Sequence, residues 1–161
     1  MIRLGKLDLR GYPLVCRGKH ATSCAPRCPG TSCDLWGSVP KAIDDRGDVV
    51  GMTQTNVGPG RAFRWRNGKL TDLGTLGGRS SEAFAVADDG TIVGTSDTKP
   101  VPWTAEQAPA PRRFVWQDGR ITELPVDYAS PSQATAINRS GTVILGACGW
   151  PPHQAFVWTK R

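Results

Sequence analysis

The chain has 161 residues, 39% of them hydrophobic, with 19 glycines, 13 prolines and a net charge of +6. That length suffices for one domain with a core, and turn formers at this density exclude a protein built from long helices. No apolar run approaches the roughly 18 residues of a membrane-spanning helix, so no membrane span is expected.

The start, MIRLGKLDLRGYPLVC, lacks the continuous apolar segment of an ordinary secretory signal, which leaves localisation open. The positive charge is concentrated at this end. Residues 1–33 carry Arg3, Lys6, Arg10, Arg17, Lys19 and Arg27 against Asp8, while residues 34–161 are close to neutral. A basic tail on a neutral body argues against a specific nucleic-acid surface.

Residues 10–33 hold Cys16, Cys24, Cys28 and Cys33 with little apolar periodicity. Seven, three and four residues separate these cysteines, so there is no C-x-x-C knuckle and zinc is disfavoured, even with His20 nearby. Disulfides in an oxidising compartment are an alternative that leaves Cys148 over. The stretch reads as an irregular, disordered insertion.

Internal repeats begin after it. AIDDRGDVVG at 42–51, AVADDGTIVG at 85–94 and AINRSGTVILG at 136–146 each describe a small-residue strand, a polar turn and a β-branched strand. The turn glycines Gly47, Gly90 and Gly141 fit a position of positive φ. The third copy has one extra residue before Gly146, which predicts a β-bulge. AFRW at 62–65, RFVW at 113–116 and AFVW at 155–158 place phenylalanine and tryptophan two apart. On a strand both face one side, so these aromatics are expected in the core. Asn67-Gly68 and Asp118-Gly119 then predict tight hairpins leading to KLTDLG and RITELP.

Each unit is thus a four-stranded meander of 42–51 residues, the size of a propeller blade. The units are 34–78, 79–129 and 130–161, and the last stops before its returning strand. Gly5-Lys6-Leu7-Asp8-Leu9 resembles Gly68–Leu73 with one residue deleted, so residues 1–9 are expected to supply a strand that completes the last repeat. The fold class is all-β, with repeated antiparallel meanders as propeller-like blades. A β-trefoil or β-prism closing on three repeats is the alternative.

DLGTLGG, intact once at 72–78, stands in one order with the A-I-x-x-x-G turn element and with A-F-x-W before a glycine turn. This combination resembles the HAF family of extracellular repeats over residues 34–161. The triplets here are Arg61-Ala62-Phe63, Arg112-Arg113-Phe114 and Gln154-Ala155-Phe156, and none has the family's histidine. The resemblance implies export and carries no activity or substrate.

Residues for catalysis are sparse. His20 and His153 are the two histidines, and nothing links either to a nucleophile. The glycines of DLGTLGG lack the following helix of a phosphate loop. Asp44, Asp45, Asp88 and Asp89 lie in successive turns, but Arg139 in the third turn would repel a shared calcium ion. Arg46-Gly47-Asp48 spells an adhesion tripeptide and coincides with a repeat turn. No cofactor and no metal site is expected.

The residues that break the repeat are Trp103, in the 96–112 connection, and Trp150 and His153, in the 148–153 connection. Both connections join the second and third strands of a unit, so both emerge at one end of the assembly. The expectation is a non-enzymatic scaffold binding a protein or glycan through these loops, with homo-oligomerisation through exposed sheet edges open to it. A polysaccharide-acting enzyme using carboxylates such as Asp97 or Glu106 is the competing reading. A truncated repeat fragment without independent function is a third.

Overall fold

Among the described residues the chain forms eleven strands and no helix. The computed structural model describes residues 38–55, 58–67, 69–98, 111–125, 131–149 and 154–160. The strand expected at residues 2–9 and the cysteine-rich stretch 10–33 lie outside the described residues. The first unit contains β1 (Ser38–Ile43), β2 (Val49–Thr55), β3 (Gly58–Arg66) and β4 (Lys69–Asp72). The second contains β5 (Ser81–Val86), β6 (Ile92–Ser96), β7 (Arg112–Gln117) and β8 (Arg120–Glu123). The third contains β9 (Ser132–Ile137), β10 (Val143–Cys148) and β11 (Gln154–Thr159).

Every ladder is antiparallel and stays within its unit. The sheet orders are β1-β2-β3-β4, β5-β6-β7-β8 and β9-β10-β11. Local hairpins produce this order: Asn67, Asp118 and Gly119 all have positive φ, as a two-residue hairpin turn requires. A trefoil would need barrel ladders between repeats, and none is formed among the described strands.

The core lies between the sheets. Val50 and Ala62 of the first sheet pack on Ala83, Ile92, Phe114 and Trp116 of the second, with Leu73 alongside. The opposite face of the second sheet then supplies Val93, which packs with Ala134, Ile144, Phe156 and Trp158 of the third. The middle sheet is therefore covered on both faces, which is face-to-face stacking and not the one-sided inward packing of a prism. Strand β5 packs across β1, β2 and β3, and β9 across β5, β6 and β7, so the first strand of each later unit lies over the face of the unit before it, centred on that unit's second strand. These are propeller-like blades.

The aromatic pairs are core residues, as their spacing predicts. Phe63 and Trp65 are 2% and 5% exposed, and Phe114 and Trp116 are 0% and 8% exposed. Phe156 and Trp158 are only half-buried. The third sheet has three strands, and among the described residues nothing corresponds to β4 and β8 on its flank. Leu73 donates its amide to Ala62 and Leu124 donates to Arg113, which seals that flank in units one and two.

Close packing of the first strand on the second depends on a glycine. Each first strand bulges by one residue, skipping Lys41, Phe84 and Thr135 in the register. The bulge drives the carbonyls of Val39, Glu82 and Gln133 to where the Cβ of residues 51, 94 and 146 would stand. Only glycine fits.

The extra residue of the third copy is accommodated differently from expectation. The bulge is common to all three units and sits on the first strand. The extra residue instead lengthens the turn: Asn138 N–H bonds Val143 O, five residues on, where Ala87 bonds Thr91 and Asp44 bonds Asp48, four residues on. The Asn138 side-chain oxygen accepts from the amides of Thr142 and Val143, and so bridges the longer loop.

Gly94→Ala should therefore lower the unfolding free energy by about 1–3 kcal/mol, the overpacking range, in urea denaturation. Gly119→Ala, with open space around it but φ of +79°, should cost about 1 kcal/mol. Equal losses, or a smaller loss for Gly94→Ala, would show that close approach is not what Gly94 serves.

Candidate functional site

The two ends of the stack differ. At one end the turns are uniform. Five residues separate β1 from β2 and β5 from β6, and two separate β3 from β4 and β7 from β8. At the other end the connections vary: Thr55 to Gly58, Ser96 to Arg112, and Cys148 to Gln154. The expected site residues Trp103, Trp150 and His153 belong to these variable connections and lie outside the described residues, as does Glu106. What the structure supplies is the frame that anchors the connections.

DLGTLGG is part of that frame. It runs from the end of β4 toward β5, with positive φ at Gly74 and Gly77. The amides of its three glycines and of Leu76 are engaged within the protein. Gly74 donates to the Asp72 carboxylate, Leu76 to Ser96 Oγ, Gly77 to Thr75 Oγ1 and Gly78 to Asp97 O. The glycine amides that a phosphate loop would present are thus already taken, so the segment is a hinge. Ser81 completes it, donating its hydroxyl to Gly74 O and accepting from Ala62 N–H.

Asp97 is taken up by the same junction. Its carboxylate accepts from Ser80 N–H at 3.3 Å and Ser80 Oγ–H at 2.6 Å.

At the uniform end the three turns meet. Asp45 N–H donates to Asp88, and the Arg139 guanidinium lies 3.2 Å from Asp45 and 3.6 Å from Asp88. The arginine of the third turn thus stands where a cation shared by the first two turns would sit. Among the described residues there is no cluster of three metal-ligating side chains. Asp48 of the adhesion-like tripeptide is 0% exposed, so its carboxylate faces inward and is not presented to a receptor.

That buried Asp48 anchors a charged set that the sequence reading missed. Arg64 Nη2 lies 2.7 Å from Asp48 Oδ2, and Arg66 Nε lies 2.7 Å from Oδ1. The second contact is an ion pair without hydrogen-bond alignment, since Oδ1 has no hydrogen-bond partner. Arg46 pairs with the neighbouring Asp44 carboxylate, also fully buried, at 3.3 Å. Arg64 further stacks over the Trp116 ring of the second unit, 5.6 Å from its centroid. The signal was present in the alignment of the units: the residues equivalent to Asp48 are Thr91 and Val143, and those equivalent to Arg64 are Val115 and Val157.

The junction of units two and three uses another arginine. Arg113 is 2% exposed and donates from Nε to Leu124 O, while Nη1 donates to Ser132 Oγ. Its guanidinium also lies 6.0 Å from the Phe156 ring. Burial lowers its pKa from the ordinary arginine value, and Glu123 nearby opposes that shift. Ser132 stands where Ser81 stands one unit earlier, so a serine at the start of each later unit ties it to its predecessor. Cys148 is a free, buried thiol that donates to Gln154 O at 3.6 Å; Cys16, Cys24, Cys28 and Cys33 lie outside the described residues.

Compared with known proteins, the chain matches no protein-family model, no curated protein and no solved structure.

Arg113→Ala removes charge-assisted bonds from a buried site and should lower stability by about 2 kcal/mol, measured by urea denaturation. Arg139→Ala, whose side chain is 75% exposed, should stay within about 0.5 kcal/mol of the parent. Similar effects for the two would mean that Arg113 does not tie the second unit to the third.

Proposed function

We propose that this chain is a non-enzymatic β-repeat scaffold that binds a protein or a glycan through the connections between the second and third strands of its units. One observation carries the reading. The turns at one end repeat with nearly constant length, whereas the connections at the other end differ in every unit. Variation confined to one end of a rigid frame is the usual arrangement of a binding surface. The interior supports the same reading, because buried contacts between sheets fix where each connection leaves and re-enters the frame.

Trp103 and Trp150 are the anchors we assign to that surface, with His153 beside the second. Tryptophan combines a large apolar face with a single donor, which suits stacking on a sugar ring or gripping a peptide. The resemblance of the repeat to HAF proteins, carried by DLGTLGG and the A-F-x-W strands, agrees with export. Asp97, one of the carboxylates considered for a polysaccharide-acting enzyme, is hydrogen-bonded to Ser80 at the start of β5, which gives it a role in the frame.

A second reading concerns copies of this chain. Leu145 and Val157 are 46% and 67% exposed, at the positions where Val93 and Val115 of the middle unit pack against a following sheet. This apolar surface beside the β11 edge supports self-association through the third unit.

On glycan and peptide arrays, the double variant Trp103→Ala/Trp150→Ala should lose the signals of the parent protein by about tenfold or more. An unchanged profile would remove the loop surface from consideration. For self-association, light scattering after size-exclusion chromatography should give a smaller mass for Leu145→Lys/Val157→Lys than for the parent. Equal monomeric masses would reject it.

A further inference from the structure

The charged set of the first unit lines an open cleft of about 340 Å³, formed by Arg64, Arg66, Asn67, Lys69 and Thr71. It lies on the β3–β4 hairpin, at the uniform end of the stack. It is therefore separate from the variable connections and would stand if they bound nothing.

The cleft departs from the repeat in a concerted way. Where the first unit has Asp48, Arg64 and Arg66, the second has Thr91, Val115 and Gln117, and the third has Val143, Val157 and Thr159. The middle unit shows that a neutral set packs well at these positions. A buried carboxylate with two arginines is the costlier solution, since replacing such groups by apolar ones is often neutral or stabilising. The frame does not require it.

Its geometry suits an anion. The carboxylates of Asp44 and Asp48 are fully buried, while the side chains of Arg46 and Arg66 are 40% and 42% exposed. Negative charge lies beneath the surface and positive charge on it. Asp48 holds Arg64 and Arg66 side by side through contacts of 2.7 Å, and Trp116 backs Arg64, so neither guanidinium has to be ordered on binding. Lys69, Asn67 and Thr71 also line the cleft, and their side chains have no protein partner among the described residues. Among the described residues no carboxylate lines it.

We infer that this cleft is an oxyanion-binding site that takes a phosphate, sulfate or carboxylate group. Arg66 and Lys69 are the contact cations. Arg64 adds charge from the cleft wall. Asp48 is the positioning residue that aligns the two arginines, and Asn67 and Thr71 supply neutral donors. Fork-shaped guanidinium donors match the spacing of oxyanion oxygens, and the cleft volume is at the lower end of small-molecule pockets.

The test is a titration of the full chain with sodium sulfate, sodium phosphate and sodium acetate, by calorimetry or amide chemical shifts, at constant ionic strength set with chloride. Saturable binding is expected, with shifts confined to the β3–β4 hairpin. Sulfate or phosphate binding alone identifies a tetrahedral group, and acetate binding alone identifies a carboxylate. Lys69→Gln, which leaves the Asp48 pairs intact, should weaken binding about tenfold, the loss expected for one charge-assisted bond. Arg66→Gln should do the same, with its thermal midpoint checked against the parent. Arg120→Gln, at the Lys69 position of the second unit, should bind like the parent. Absence of saturable binding to the parent, or an equal loss in Arg120→Gln and Lys69→Gln, would overturn the assignment and leave the charged set as a purely structural network.

Discussion

Burial of apolar side chains between successive sheets is the interaction on which the rest of this molecule depends. A four-stranded meander has two faces and too few residues to cover either alone. Here the Phe-x-Trp face of one sheet meets the valine and small-residue face of the sheet before it, and the pattern holds across both junctions. The bulged first strand brings its carbonyls close to the second strand, and a glycine on that second strand makes the approach possible. Phenylalanine and tryptophan then fill the gap, with burial worth about 1.5–3 kcal/mol for the phenylalanine alone.

Polar groups settle how the sheets are held together once they stack. The first junction uses Ser81 and the hinge at 72–78. The second uses Arg113, which reaches across to Ser132. Each device satisfies donors and acceptors that stacking would otherwise bury unpaired. The turns add an ion network through Asp45, Asp88 and Arg139, but it is exposed and weak, and its main consequence is to occupy the place of a cation. The Asp48 set differs in kind, because a fully buried carboxylate holds two arginines near solvent, at positions where sister units manage with threonine, valine and neutral side chains.

Much of the frame was legible in the residues. Alternation, turn dipeptides and the recurrence of three segments in one order were enough to place the strands and their hairpins, because those features act over a few residues. The Phe-x-Trp pairs read as core since two residues on a strand share a face. The charged cleft was not legible as a site. Asp48, Arg64, Arg66 and Lys69 are spread over more than twenty positions, and each looked like an ordinary turn or strand residue until the β2–β3 ladder set Asp48 beside Arg64 and Arg66. The bulge expected in the third unit was misplaced for a related reason. A residue count detects an insertion but not whether turn or ladder absorbs it, and the hydrogen-bonding reach of Asn138 decided in favour of the turn.

Sequence by itself determined the all-β class, the number and order of units, and the inward aromatics, since period-two burial and positive-φ turns are local demands that the chain meets residue by residue. Tertiary structure alone decided that the sheets stack face to face. It also decided that Gly51, Gly94 and Gly146 are there to admit a neighbouring carbonyl, and that the glycines of DLGTLGG spend their amides inside a hinge. Those outcomes depend on which surfaces and carbonyls come within a few ångströms of one another after folding, and no spacing along the chain encodes that distance.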